Sequence, residues 1–272
     1  MSYEDVHDAT VSQDTTDAAT SPELDASVDF PALGDGGGPA LADSGPSNET
    51  LPDASVPSAD ASLSPVDDAL TTMTIPGTQL LNESFESDAW KTKFSPYAAV
   101  ATVVDGQLRV AVAPAVKHPA EIGYRQRMRD VVAQFRFRLE GAGYLGIQFS
   151  DDKQTFHVAN MMVGKTRVNL NQVTGWGGTT KFKNLDYQDL TVGADEWHTA
   201  RVELRGSEIL AQIDDGCLLY GSVPALDVDK TKFALQSGGQ YARYDDIKAW
   251  EAIADPTWPA RKAAVLAASG CH

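Results

Sequence analysis

Short runs in which apolar and polar residues alternate occupy the chain from about Thr78 onward, and this feature constrains the fold most. The segment VVAQFRFRLEG places Phe135 and Phe137 on one face and Arg136 and Arg138 on the other. Successive side chains of a β-strand point to opposite faces, so a period of two predicts a strand with one buried face. The next run, YLGIQFSD, follows the same rule.

The rest of this region predicts more strands and one helix. The segments ARVELRGSEILAQIDDG and KFALQSGGQYARYDDIKAWEA each predict a hairpin, with turns at RGSE and SGG. Further strand-like runs lie at 80–86, 98–104, 107–112, 154–163, 166–173 and 217–222. Many short strands with such turns are typical of an all-β sandwich or jelly roll of two antiparallel sheets. Only DPTWPARKAAVLAAS predicts a helix, with Pro259 in its first turn.

Charge and composition divide the chain into three parts. Residues 1–90 contain 18 of the 38 acidic residues and no Lys or Arg, and residues 1–77 are rich in Asp, Ala, Ser, Pro and Thr. Such a composition cannot bury enough apolar surface to offset the entropy of ordering, so 1–77 is predicted to be a disordered, extended spacer. A jelly-roll domain at 78–253 and a short helical tail at 254–272 complete the predicted organisation.

The net charge of −16 argues against functions that need a basic surface. Nucleic acid and anionic lipid attract clustered Lys and Arg, so neither is an expected partner. The sequence has no run of about 18 apolar residues, so no membrane span is expected. We expect the protein to be a monomer.

The N-terminal sequence MSYEDVHDATVSQ lacks the basic and apolar segments of a signal peptide. Either the protein is cytoplasmic or its start lies upstream of Met1. Acidic spacers rich in Ser, Pro and Thr commonly separate a module from a bacterial cell surface, and on that association we expect an extracellular or cell-envelope location.

Cys217 and Cys271 form no metal or redox motif, and free thiols and a disulfide both remain open.

The order of the motifs resembles that of a known fold. Residues 79–252 contain, in order, LLNESFES, VVDGQLRV, DVVAQFRFRLEG, DEWHTARVELRGSEILAQIDDG and YARYDDIKAWEA. This series resembles the concanavalin A-like, or laminin G-like, jelly roll, and in particular the bacterial 3-keto-disaccharide hydrolase family. The resemblance implies a sandwich of two antiparallel sheets. Lectins, hydrolases and structural modules share this sandwich, so the fold selects no single function.

One hydrolase mechanism is not expected. Family 16 glycoside hydrolases on this fold use an E-x-D-x-x-E strand, whose alternation brings two carboxyl groups to about 5 Å from each other. No such triplet occurs in the sequence. Classical retaining hydrolysis on that strand is therefore not predicted.

Polar side chains of the middle strands form the candidate binding face. The resemblance implies that one sheet presents them to a glycan, whose hydroxyl groups suit amide and guanidinium partners. The residues predicted to project from one sheet are Arg136, Arg138, Gln148, His157, Asn169 and Asn171. Trp176, in the glycine-rich NQVTGWGGTTKF, and Tyr187 are the candidate stacking contacts. The alternatives are a solvated sheet face and, for Trp176, a plug at one end of the core.

Two further groups carry candidate chemistry. His118, His157 and Glu121 have side chains suited to acid–base catalysis or metal ligation, because His titrates near neutrality, and separate structural roles are the alternative. First and last strands often lie side by side in jelly rolls, and carboxylates that meet there provide the hard oxygen ligands of Ca²⁺. Edge-strand charge that discourages aggregation is the alternative reading of these carboxylates. The candidate calcium ligands are Glu83, Glu86, Asp245 and Asp246.

The leading hypothesis is a carbohydrate-binding jelly-roll module on a flexible acidic spacer. One alternative is a glycoside hydrolase-like enzyme acting on 3-keto saccharides, as the resemblance implies. The other is a non-catalytic adhesive or interaction module of the laminin G type.

Overall fold

The computed structural model describes residues 72–151, 157–175, 179–216 and 218–269. In chain order the elements are β1 (Thr74–Glu83), α1 (Trp90–Lys93), β2 (Phe94–Tyr97), β3 (Ala99–Val104), β4 (Gln107–Val112), β5 (Ala120–Met128), β6 (Val131–Arg138), β7 (Ala142–Asp151), β8 (His157–Gly164), β9 (Arg167–Thr174), β10 (Lys181–Asp189), β11 (His198–Arg205), β12 (Glu208–Ile213), β13 (Leu218–Ser222), β14 (Lys230–Gly239), β15 (Ala242–Ala254) and α2 (Trp258–Ala268). The predicted spacer up to residue 71, Trp176, Cys217 and Cys271 lie outside the described residues.

The strands form two antiparallel sheets. The first sheet has the order β13-β12-β11-β6-β15-β4-β3, with β1 also pairing with β15. The second sheet has the order β10-β9-β8-β7-β14-β5-β2. The long strand β15 pairs with β6 on one side, and with β4 and β1 in succession on the other. The predicted all-β sandwich of two antiparallel sheets is confirmed.

The core lies between the two sheets, where the alternating pattern predicted it. Phe135 and Phe137 of β6 and Leu145, Ile147 and Phe149 of β7 have no exposed surface. Their polar neighbours along the same strands point outward, as a period of two requires. Burial of these side chains is the main stabilising contribution to a sandwich of this kind.

One buried tyrosine connects the sheets through the core. Tyr244 of β15 is fully buried, and its hydroxyl donates a hydrogen bond to the carbonyl oxygen of Gln236 in β14 at 2.5 Å. Burial raises the pKa of Tyr244 above its usual range, so the phenol stays protonated and remains a donor. This contact ties the first sheet to the backbone of the second.

The start of the described chain is hydrogen-bonded to the outer face of the first sheet. One carboxylate oxygen of Glu203, a buried residue of β11, accepts from the N–H groups of Met73 and Thr74 at 2.9 and 2.8 Å and from the Thr74 hydroxyl at 2.7 Å. Arg201 Nε lies 2.8 Å from the other oxygen. As a result, β1 begins at Thr74, ahead of the domain start predicted at Thr78.

Helix α2 packs against the same outer face. Trp258 is buried and forms a small apolar cluster with Met73, Leu210 and Leu218. Lys262 Nζ donates to Glu208 Oε1 at 2.6 Å and fastens the helix to β12. Pro lies at the start of the helix, and the predicted short C-terminal helix is confirmed. No helix in the described ranges combines the length and apolarity needed to cross a membrane.

The strands differ from the prediction in several places. The predicted runs did not include β2, β5 or β10, because FSPY, AEIGYRQRM and KFKNLDYQD do not alternate cleanly between apolar and polar residues. The first strand ends at Glu83, so Glu86 lies beyond it and not on it as predicted.

Candidate functional site

The outer face of the second sheet carries one polar residue from each of six neighbouring strands. Along these strands the polar residues alternate with buried core residues such as Ile122, Ile147 and Leu235. The strand register places them in a continuous line across the sheet, which steps by two residues between β14 and β7. This line, the polar row, consists of Glu121, Gln236, Gln148, Asn160, Asn171 and Asn184.

Side-chain hydrogen bonds connect members of the polar row. Gln236 Nε2 donates to Glu121 Oε1 and to Gln148 Oε1, at 3.0 Å in both cases. Asn171 Nδ2 donates to Asn160 Oδ1 at 2.9 Å. An amide has two N–H donors and a carbonyl acceptor with two lone pairs, so Asn171 retains groups for a ligand beyond its bond to Asn160. The exposed fraction falls to 8% at Asn171 and 1% at Asn160, so neighbouring side chains cover most of the row.

Electrostatics keep the carboxylate at one end of the row ionised. Lys232 Nζ lies 3.0 Å from Glu121 Oε2. Burial raises the pKa of Glu121. The charge and hydrogen bond of Lys232, the hydrogen bond from Gln236 and the charge of His118 together outweigh burial, so the net pKa lies below the usual range. At neutral pH, Glu121 is therefore a hydrogen-bond acceptor and not a proton donor.

Exposed aromatic side chains flank the polar row at both ends. Phe182 and Tyr187 of β10 are 61% and 50% exposed, and the register places them on the same face as Asn184. Tyr97 of β2 is 59% exposed and lies opposite Glu121. Aromatic faces beside amide groups are suited to sugars, whose C–H faces pack on rings while their hydroxyls form hydrogen bonds.

Two predicted binding residues lie on the other sheet. Arg136 and Arg138 belong to β6 of the first sheet, whereas Gln148 belongs to β7 of the second. The prediction that they project from one sheet is wrong, because the chain crosses from one sheet to the other between β6 and β7. Asn169 and Asn171 do share the second sheet with Gln148.

Tyr187 lies opposite Asn169 at the edge of the second sheet, and Arg167 stacks on its ring at 4.6 Å. The predicted stacking residue Trp176 is outside the described residues, so its role stays a prediction.

The predicted catalytic residues do not assemble into one group. His118 precedes β5, packs edge-on against Tyr97 at 5.0 Å between ring centroids, and has Nδ1 2.7 Å from the carbonyl oxygen of Pro119. The backbone of His157 pairs with Ser150 at the start of β8, and its side chain lies outside the described part of the structure. Strands β14 and β7 lie between β5 and β8, which amounts to about 14 Å across the sheet. His118 and Glu121 therefore share one end of the polar row, and His157 is distant from both.

The predicted calcium ligands are divided between two environments. The Glu83 carboxylate accepts from Lys93 Nζ at 2.6 Å and from the Phe85 N–H at 2.9 Å. Asp245 and Asp246 lie 3.7 and 3.5 Å from Arg136 Nη1. Among the described residues, no group of three or more His, Cys, Asp or Glu side chains is arranged to hold a metal ion. Calcium binding stays a prediction.

Several residues of the site were not identified from the sequence. Gln236 follows Phe233 and Leu235 in clean alternation, so the sequence was sufficient to predict that its side chain points outward. Asn160 was hidden because its strand, HVANMMVG, is apolar at most positions. Tyr97 and Phe182 lie in exposed edge strands, where no pattern distinguishes a ligand contact from a solvated aromatic residue.

Solved structures provide the comparison with known proteins. The carbohydrate-binding module CBM66 from Bacillus subtilis is similar with a TM-score of 0.50 and 10% sequence identity, over 58% of this chain and 96% of that chain. The β-agarase B from Zobellia galactanivorans is similar with a TM-score of 0.53 and 11% identity, over 68% and 96%. A Bacillus subtilis protein with a galectin-like fold is similar with a TM-score of 0.50 and 13% identity, over 67% and 100%.

Sequence comparison adds no narrower assignment. No protein-family model and no curated protein matches the chain, so the resemblance to the 3-keto-disaccharide hydrolase family has no support from a sequence match. At 10 to 13% identity, the structural similarity shows the fold alone. The described part of the chain is a concanavalin A-like jelly-roll sandwich.

Proposed function

We propose that the protein binds a glycan on the outer face of its second sheet. The observation that carries the proposal is the polar row, a line of five amides and one carboxylate with exposed aromatic rings at both ends. Amide groups match the donor and acceptor pattern of sugar hydroxyls, and Tyr97, Phe182 and Tyr187 provide ring faces for their C–H surfaces. The similarity in fold to a carbohydrate-binding module is consistent with this function.

The charge within the polar row favours a neutral glycan. Glu121 is neutralised by Lys232, and Arg167 is paired with Asp189 at 2.7 Å. The remaining members of the polar row are uncharged amides. A neutral saccharide therefore meets hydrogen-bonding groups without losing solvation at an unpaired charge.

Affinity electrophoresis through gels containing soluble neutral polysaccharides tests the proposal. We expect retardation of the full chain by at least one neutral β- or α-glycan, and a loss of at least tenfold in affinity for Asn171→Ala and for Tyr187→Ala. One aromatic or amide contact removed from such a site corresponds to roughly 1.4 kcal/mol, which is a factor of ten.

The matched control is Tyr241→Ala, which removes a partly exposed tyrosine beside β15 of the first sheet. We expect this variant to be retarded like the unmodified protein. If Tyr241→Ala and Tyr187→Ala lose retardation equally, or if no neutral glycan retards the protein, the outer face of the second sheet is not a glycan-binding site.

The hydrolase alternative has less support in the geometry. Glu121 is held ionised by Lys232, and His157 lies across two intervening strands from it.

A glycan-binding module is also more consistent with an extracellular or cell-envelope location, which we include in the proposal. Secretion of the full-length protein by its native host, measured in culture supernatant and envelope fractions, tests that location.

A further inference from the structure

The outer face of the first sheet carries a row of arginines that the glycan proposal does not use. Arg138 of β6 lies directly opposite Arg243 of β15, and Arg243 lies directly opposite Arg109 of β4. Directly opposed side chains on one face have Cβ atoms about 5 Å apart, and like charges in such pairs repel each other. Anionic groups beside the arginines reduce this repulsion.

Acidic partners offset two of the three arginines. Glu140 accepts from Arg243 Nε at 2.8 Å and from Arg109 Nε at 3.0 Å. The pKa of Glu140 is lowered below its usual range by these hydrogen bonds, that of Arg243 foremost, although burial opposes the effect. Glu140 is thus a full carboxylate shared between two guanidinium groups.

Arg138 has no such partner. Within the described ranges it makes no hydrogen bond or ion pair, and its buried Nε is an unsatisfied donor. Its guanidinium stacks on Trp197 with 5.5 Å between Cζ and the ring centroid, and Arg136 stacks on the same ring at 4.9 Å. Packing on Trp197, not hydrogen bonding, therefore positions the guanidinium group of Arg138.

Three carboxylates of the same region are engaged by the other arginines. Asp245 and Asp246 lie 3.7 and 3.5 Å from Arg136. Glu140 is engaged by Arg109 and Arg243. None of these three carboxylates forms an ion pair with Arg138.

We propose that Arg138 is the centre of an anion-binding site that takes the carboxylate or sulfate group of a small anion or an acidic sugar. A planar guanidinium presents parallel N–H donors that match the two oxygens of such a group. A bound oxyanion accepts from the terminal Nη groups of Arg138 and offsets the repulsion between Arg138 and Arg243. The site lies on the opposite sheet from the polar row, so it does not depend on the proposed neutral glycan.

Nuclear magnetic resonance of the arginine Nε–H groups tests the site directly. The full chain is titrated with sodium glucuronate and, separately, sodium sulfate, with sodium chloride adjusted to constant ionic strength. We expect a saturable shift of the Arg138 Nε–H resonance, identified by its absence in Arg138→Lys. The Arg125 resonance, from an exposed arginine of the second sheet, and titration with neutral galactose serve as controls and should show no shift.

Affinity measurements on variants complete the test. We expect Arg138→Gln to lose at least tenfold in affinity and Arg125→Gln to bind like the unmodified protein, with circular dichroism used to check that each is folded. Arg138→Lys keeps the charge without the fork and should fall between the two. Equal binding by Arg138→Gln and the unmodified protein, or no saturable shift at Arg138, would overturn the site. A galacturonate hexamer that binds much more tightly than glucuronate identifies an acidic glycan as the source of the group, and equal affinity identifies a free anion.

Discussion

Lys230 is a fully buried lysine at the start of β14. Its Nζ donates to three backbone carbonyl oxygens, those of Arg129 at 2.6 Å, Val228 at 3.0 Å and Leu226 at 3.1 Å. Three donors require the ammonium form, whereas burial disfavours the charge. Burial lowers the pKa of Lys230 from 10.5 to about 8, and Asp130 opposes the effect.

This shift predicts a specific dependence of stability on pH. Between pH 8 and 10.5 the unfolded chain still holds a proton that the folded protein has released, so the free energy of unfolding rises with pH through this window. The full shift corresponds to roughly 3 kcal/mol. Lys230→Met removes this titration. In urea unfolding at pH 7.5 and 10.5, the unmodified protein should gain stability relative to Lys230→Met.

Other titrating groups contribute equally to the free energy of unfolding of both proteins, so their contribution cancels when the two proteins are compared. Lys117→Met, at an exposed position, is the control and should show the same pH dependence as the unmodified protein. A constant difference between Lys230→Met and the unmodified protein at the two pH values would contradict the prediction.

At the scale of elements, β10 and β13 close one edge of the sandwich. Asp186 of β10 accepts a hydrogen bond from the Tyr220 N–H of β13 at 2.9 Å, which links the second sheet to the first. Leu185 forms a bulge in β10 and packs toward the core. A Cβ placed on Gly221 of β13 would lie 2.8 Å from the Leu185 Cβ, closer than van der Waals contact allows. The absence of a side chain at Gly221 therefore permits the close approach.

Gly221→Ala should destabilise the protein by about 1–3 kcal/mol, the usual cost of overpacking a tight contact. The Leu185 Cβ is next to the backbone and cannot rotate away, so the strands must separate. Leu185→Ala in the same chain removes the Leu185 Cδ1, which would lie 2.7 Å from the added Cβ, but it retains its own Cβ, so it should recover only part of the loss. Gly143→Ala is the matched control, because its added Cβ would meet only the Gly238 carbonyl oxygen at 3.6 Å. Chemical denaturation that gives Gly221→Ala the stability of Gly143→Ala would contradict this account of the edge.

At the scale of the whole molecule, the sandwich separates two chemically different faces. The polar row of the second sheet is amide-rich, whereas the outer face of the first sheet carries the arginine row and helix α2. Two packed sheets are about 10 Å apart, and mostly apolar side chains fill the core between them.

We therefore expect a neutral glycan and glucuronate to bind independently. Titration of glucuronate into protein saturated with the neutral glycan should give an affinity within twofold of that for the unliganded protein, because the coupling free energy is close to zero. Calorimetry in both orders of addition provides the measurement. A change of tenfold or more, reciprocal in the two orders, would show that the ligands share one site or one conformational change.

Strand-level features were predictable because they depend on local sequence. The alternation at Phe135 and Phe137 correctly predicted a buried face, and Pro259 correctly indicated the start of a helix. Asn160 could not be found in this way, because it lies among apolar residues and becomes part of a site only through pairing with Gln148 and Asn171. Such pairings join distant strands, and single-sequence periodicity contains no information about them.

The amino-acid sequence by itself determined that this protein has an acidic N-terminal segment, a two-sheet sandwich and a C-terminal helix, since charge, period and capping residues are local properties. Only the tertiary structure decided that Arg138 and Gln148 lie on opposite sheets, although both follow the same alternating pattern in the sequence. Alternation specifies whether a side chain points inward or outward. The sheet to which it belongs depends on backbone hydrogen bonds with distant strands, such as the pairing of Arg138 with Arg243 and of Gln148 with Asn160.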